Sequence, residues 1–168
     1  ITEADNRHFF DMIKETLTRN GGKGVYPSEA YFRSFTQAIP LIPSTDHSKK
    51  TNLILWYAYQ NGEVAAAYFV LSFAQTATYL FGASYSNHLS SKATTYLHWM
   101  AMKEAKRRGL LFYDLGGIDS QRWPSITTFK RQFRGREFSY LGNIDIVNRP
   151  ILYRLFNTVQ FLKKLRNF

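Results

Sequence analysis

Leu53-Ile54-Leu55-Trp56-Tyr57-Ala58-Tyr59, then Asn61-Gly62, then Val64-Ala65-Ala66-Ala67-Tyr68-Phe69-Val70-Leu71-Ser72-Phe73 is the stretch on which the fold turns. Asn-Gly between two apolar, aromatic-rich runs is a strong hairpin signal, because both central residues of the tight turn need positive φ. A third strand is expected over Thr78 to Ala83. From Ser91 to Arg108 the pattern becomes helical, with Leu97, Met100, Ala101 and Ala105 on one side, basic residues in the last turn and Gly109 placed to close it.

Working outward, Leu110 to Leu115 reads as a short strand broken by Gly116-Gly117. Pro124 opens a helix that runs through Phe133, and Phe138 to Val147 returns to strand pattern around Gly142-Asn143. A last helix follows Pro150. Its Leu152, Leu155, Val159 and Leu162 lie on one side, with Arg154, Lys163, Lys164 and Arg166 elsewhere. Upstream, Thr2-Glu3-Ala4-Asp5 can cap a helix carrying Phe9, Phe10, Ile13 and Leu17, stopped by Gly21-Gly22. Pro27-Ser28-Glu29 starts another, with Tyr31, Phe32, Phe35 and Ile39, ended by Pro40; Ser44 to Thr51 is a loop. The order is helix, helix, hairpin, strand, helix, strand, helix, strand, helix, which predicts one α/β (α+β) domain over residues 1–168.

Composition sets the limits on chemistry. With 168 residues, 45% of them hydrophobic and 17% aromatic, the chain can bury a substantial core. Its 22 Lys and Arg against 12 Asp and Glu give a formal charge of +10, which favours an anionic partner: RNA, a phosphorylated sugar or an acidic membrane surface. The absence of cysteine excludes disulfides, thiolate metal sites and a cysteine nucleophile. Four histidines, at positions 8, 47, 88 and 98, show no metal-ligand spacing. Gly21-Gly22-Lys23-Gly24 follows a helix and lacks the Lys-Ser/Thr ending of a phosphate loop. No apolar stretch is long enough to span a bilayer and no signal-peptide pattern opens the chain, so a cytoplasmic location is expected. The start at Ile1, directly before helical pattern, raises the expectation of a piece of a longer protein.

Three blocks carry candidate chemistry. Tyr79-Leu80-Phe81-Gly82-Ala83-Ser84 ends a strand ahead of a helix, where open α/β sheets gather ligands; the alternative is a strand ending in a plain glycine turn. Tyr113-Asp114-Leu115-Gly116-Gly117-Ile118 sets a carboxylate before paired glycines that permit close backbone approach, although Asp114 could simply bond the turn, and Asp119 could serve equally as a base. Phe129-Lys130-Arg131-Gln132-Phe133-Arg134-Gly135-Arg136 offers four cations in a short span with two phenylalanines at i and i+4. That run reads either as a solvated basic face or as a device for binding phosphates and stabilising negative charge developing in acyl transfer. The final helix could lie on an anionic membrane or dock its apolar side on the domain.

The element order resembles the acyltransferase fold called GNAT, a central mixed, mostly antiparallel sheet flanked by helices, with that fold's first strand missing from the order. In coenzyme A-dependent members a Gly-rich turn holds the pyrophosphate; the corresponding Ser84-Tyr85-Ser86-Asn87-His88-Leu89-Ser90-Ser91 has no glycine. Taken together, the three blocks, the helix with Tyr96-Leu97-His98-Trp99-Met100-Ala101-Met102 and Glu104-Ala105, and Ser28-Glu29-Ala30-Tyr31-Phe32 look like the Fem-type (FemABX) aminoacyltransferases that build peptidoglycan interpeptide bridges. The resemblance implies that the chain is most of the second GNAT-like domain of a two-domain protein. It implies transfer of an amino acid from aminoacyl-tRNA to the stem peptide of a nucleotide- or lipid-linked peptidoglycan precursor, without coenzyme A, any other cofactor or a metal. It implies a catalytic Phe129-Lys130 pair, with Tyr79, Phe81, Ser84, Asn87, Tyr96, Asp114, Gly116, Gly117, Arg131, Arg134 and Arg136 as substrate-binding candidates. Phe81 stands where the family's strand tyrosine is expected, which leaves open whether Tyr79 replaces its hydroxyl.

Overall fold

The computed structural model describes residues 3–19, 28–39, 51–142 and 145–166. Thr2, Gly21 to Gly24, Pro27, Pro40, most of the Ser44 to Thr51 loop and Asn143, all invoked above, lie outside the described residues.

Helices α1 (Glu3–Arg19) and α2 (Glu29–Ala38) come first, followed by strands β1 (Asn52–Gln60), β2 (Glu63–Phe73) and β3 (Thr76–Ser84). A 3₁₀ turn (Ser86–Ser91), α3 (Ala93–Arg107), β4 (Phe112–Asp114), α4 (Pro124–Arg131) and α5 (Pro150–Arg166) complete the described elements. The sheet order is β1-β2-β3-β4, the first three antiparallel and β4 parallel to β3. Asn61 and Gly62 both take positive φ, +53° and +84°, as the two-residue hairpin requires.

β2 is the central element. Its residues Ala65 to Val70 are all buried, because helices cover both faces of the sheet. On one face α1 and α2 bring Phe9, Phe10, Met12, Ile13 and Phe32 onto Ala67, Phe69 and Ala83. On the other, Leu97, Ala101 and Ala105 of α3 pack on Ala58, Ala66, Tyr68, Val70 and Ala77. Ser28 caps α2, its hydroxyl accepting the Tyr31 N–H at 3.3 Å. Gly109, at φ +73°, ends the α3 segment as its place in the sequence predicts.

Two local features shape the site. The β2–β3 register passes from Phe69↔Phe81 to Val70↔Tyr79, leaving Leu80 as an extra residue in a β-bulge. β4 accompanies β3 only to Thr78↔Asp114, whereas β3 continues to Ser84.

The chain divides into two compact units, Ile1–Lys130 and Arg131–Phe168. In the second, the strand expected over Phe138 to Val147 is absent from the described residues 138–142 and 145–147; no ladder partner is present and Phe138, Tyr140, Leu141 and Ile146 are exposed. α4 ends at Arg131, two residues short of Phe133, where Arg134 turns to φ +54° and donates its N–H to the Arg131 carbonyl at 2.9 Å. On α5, Leu152, Leu155, Val159 and Leu162 are exposed. Among the described residues no helix is long and apolar enough to cross a membrane.

Candidate active site

Where β4 leaves β3, a cavity of about 440 Å³ opens. Tyr79, Gly82, Ala83 and Ser84 of β3 line it, together with Tyr68, His98 of α3, Thr16 and Arg19 of α1, Arg122 and Trp123, and Ile126, Phe129 and Lys130 of α4. All the lining residues fall between Thr16 and Lys130, within the first unit.

Lys130 is half-buried in this wall. Its Nζ donates to the Gly117 carbonyl at 2.7 Å and stands 5.6 Å from the centre of the Tyr79 ring, a cation–π distance. Burial pushes its pKa below the ordinary lysine value, and the Asp114 carboxylate opposes that shift. The close approach explains a glycine. Gly116 has φ +76°, and a Cβ there would lie 3.3 Å from the Tyr79 carbonyl oxygen and 3.4 Å from Lys130 Nζ.

Behind Lys130 lies an aromatic box centred on His98, which has no solvent exposure. Ring centroids of Tyr68, Tyr79, Phe129 and Tyr113 lie 4.6, 4.7, 5.6 and 5.9 Å from the imidazole, and His98 Nδ1 is 2.9 Å from the Tyr113 hydroxyl. Desolvation, reinforced by the Lys130 charge, pushes the His98 pKa down to about 4, so the ring is neutral near pH 7. Gly82 lies inside β3 instead of in a terminal turn, and a Cβ on it would come within 2.5 Å of the Tyr79 hydroxyl and the Tyr68 ring.

The structure therefore brings Tyr79, Ser84, Phe129 and Lys130 to one cavity, with Gly117 bonded to Lys130 and Gly116 leaving open the space beside its Nζ that a Cβ would enter. Phe81 is directed elsewhere, its ring 4.7 Å from Phe32 in the core beneath α1 and α2. Asn87 in the 3₁₀ turn and Tyr96 on α3 are exposed and outside the lining set. Asp114 Oδ1 accepts the Gly116 N–H at 2.7 Å, while Asp119 Oδ1 accepts those of Gln121 and Arg122, both at 2.9 Å. Both carboxylates thus bond turns. In the second unit, Arg131 forms a two-pronged pair with Glu137 at 2.8 and 3.1 Å, and the Arg136 guanidinium sits 4.8 Å over the Phe138 ring. His98, Tyr68, Arg19 and Trp123 escaped the sequence reading as site residues because only the fold gathers them.

No curated protein matches the chain. Among solved structures, a transcriptional regulator from Bacillus halodurans C-125 is 20% identical, with a TM-score of 0.52 over 88% of this chain and 96% of that one. The apo aminoglycoside antibiotic 6'-N-acetyltransferase AAC(6')-IG from Acinetobacter haemolyticus is 14% identical, with a TM-score of 0.53 over 89% of this chain and 94% of that one. At such identities the likeness identifies the fold, which is GNAT-like. The FemAB family model matches residues 43–161, well over half of the chain and including all of β1 to β4, α3 and α4. The chain belongs to the FemAB family and is an acyltransferase domain on a GNAT-like fold.

Proposed function

We propose that this domain transfers an amino acid from aminoacyl-tRNA to an amino group on the stem peptide of a peptidoglycan precursor, forming part of an interpeptide bridge. The observation that carries the reading is Lys130, anchored on the Gly117 carbonyl at the wall of a partly apolar cavity with its pKa lowered by burial. The acceptor amine, in its neutral form, attacks the ester carbonyl. A carbon–nitrogen bond forms, the carbon–oxygen bond to the ribose breaks, and the proton given up by the amine is balanced by the one taken up by the departing ribose oxygen. The ester is already activated, so catalysis reduces to positioning and stabilisation of the oxyanion and of the departing ribose oxygen. A lysine ammonium suits both tasks as a mobile point charge, and a lowered pKa makes it a better proton donor to the leaving oxygen.

Phe129, one residue earlier on α4, forms the wall beside Lys130, and Tyr79 and Ser84 face the same space. Arg131, Arg134 and Arg136 supply cations for tRNA or precursor phosphates, in keeping with the +10 charge. In this reading the chain is most of the second GNAT-like domain of a longer cytoplasmic protein, working at the inner face of the plasma membrane when the acceptor is lipid-linked.

Lys130→Met in the full-length parent tests the role. Turnover is expected to fall on the order of 10²-fold or more with precursor binding nearly intact; unchanged turnover would overturn the assignment. Calorimetry with coenzyme A provides the contrast, since clear binding would favour an acyl-coenzyme A donor.

A further inference from the structure

Besides Lys130 and Arg122, the cavity wall has a third cation, Arg19, in the last turn of α1. Arg19 Nη1 donates to the Ser84 carbonyl at 3.2 Å and to Ser86 Oγ at 2.9 Å, while Nη2 reaches Ser84 Oγ at 3.3 Å and Thr16 Oγ1 at 3.5 Å. Every one of these acceptors is uncharged, and no carboxylate lines the cavity. Glu15, four positions before Arg19, accepts the Ser86 N–H at 2.6 Å, and that bond, with a smaller contribution from the Arg19 charge, lowers its pKa. A guanidinium has five N–H donors in a rigid fork that matches a carboxylate, and the two Nη2 contacts here are long.

Position along β3 gives the spacing. Lys130 Nζ lies beside Tyr79, whereas Arg19 bonds Ser84. With Leu80 bulged out of the ladder, four steps at roughly 3.3 Å each put these two anchor residues on the order of 13 Å apart. The intervening wall is Tyr68, Gly82 and Ala83, on a strand that β4 follows only to Thr78.

We propose that Arg19 is a subsite for the carboxylate of an extended acceptor peptide whose amine reaches the Lys130 end of the cavity. The word acceptor rests on the acyl-transfer reading above; the binding itself does not. A peptide fits better than an RNA strand. The wall carries three cations, Arg19, Arg122 and Lys130, with the Glu15 carboxylate beside Arg19, whereas a run of phosphates calls for a longer stripe of cations. A strand-lined wall with aromatic and small side chains also suits an extended backbone. In an extended Lys-Ala-Ala, the lysine side chain and two further residues separate amine and terminal carboxylate by a span of this order.

Calorimetry on the full chain with acetyl-Lys-Ala-Ala, as free acid and as C-terminal amide, tests the proposal without tRNA. The free acid is expected to bind and the amide to bind the unaltered protein roughly tenfold more weakly. Arg19→Gln should bind both at the weaker level, and Arg19→Lys should recover part of the difference. Because the acid–amide comparison is made on the unaltered protein, it stands even if a variant loosens α1. Equal affinity for acid and amide, no binding of either, or undiminished acid binding by a folded Arg19→Gln protein overturns the proposal. So does a short RNA ending in cytidine, cytidine and adenosine whose affinity, and not the peptide's, depends on Arg19. The acid–amide comparison involves neither tRNA nor turnover, so a failed turnover experiment bears on the function and a lost acid–amide difference on this subsite.

Discussion

On one face of the sheet Phe9, Phe32, Phe69 and Phe81 meet ring to ring, while on the other Tyr68, Tyr79, Tyr113 and Phe129 surround His98. Both sets pack at similar spacing, down to 4.7 Å for Phe9–Phe69 and 4.6 Å for Tyr68–His98. The difference is chemical. The phenylalanine face holds α1 and α2 by apolar burial and ring contacts, with hydrogen bonds such as Thr16–Ser84 and Asn6–Thr36 beside them. The tyrosine face adds hydroxyls and an imidazole, and it abuts the cavity and the only lysine among the lining residues. One sheet thus separates the work of holding the fold from the work of shaping the site.

The largest expected effect lies on the phenylalanine face. Phe32 is wholly buried against Phe9, Phe10, Phe69 and Phe81, so Phe32→Ala should cost about 3–5 kcal/mol of unfolding free energy, read from denaturant titration. A loss below about 1 kcal/mol would mean that this face does not anchor the helices, and the division between the faces would collapse.

The tyrosine face should reveal itself by pH. His98 has a pKa of about 4 when folded against 6.5 for a free side chain. Between those values the unfolded chain binds the extra proton, so stability is fully present above about pH 6.5 and is lost as pH falls toward 4. The loss attributable to this one group is up to about 3 kcal/mol. His98→Phe should flatten that part of the profile, whereas Phe32→Ala should shift the whole curve and leave its slope. Parallel curves for His98→Phe and the unaltered protein would break the contrast.

How far these faces could be read from the sequence depends on the element. The hairpin was legible because Asn61-Gly62 specifies its turn locally, and α3 because Gly109 and its apolar spacing mark its end. The strand over Phe138 to Val147 was misread, since alternation alone cannot supply a ladder partner. His98 escaped because its neighbours Leu97 and Ala101 already account for a core-facing helix, and the rings around it come from four other parts of the chain. Lys130 stood out only within a motif of ordered blocks; its pairing with Gly117 depends on the fold of a loop that no periodicity describes.

The sharpest such case is the pair Tyr79 and Phe81. Strict alternation would put both rings on one face, and the resemblance left open which of them meets substrate. Leu80, the extra residue of the bulge, breaks that alternation and sends Tyr79 to the His98 side and Phe81 to the phenylalanine side. Tyr79→Phe keeps the ring against Tyr68 and His98, so stability should change by about 1 kcal/mol or less. If the hydroxyl contacts substrate, turnover by the full-length protein should nevertheless fall, with the unfolding midpoint nearly fixed. A stability loss as large as that of Phe32→Ala, with turnover per folded molecule unchanged, would make Tyr79 a packing residue and assign both faces of the sheet to structure.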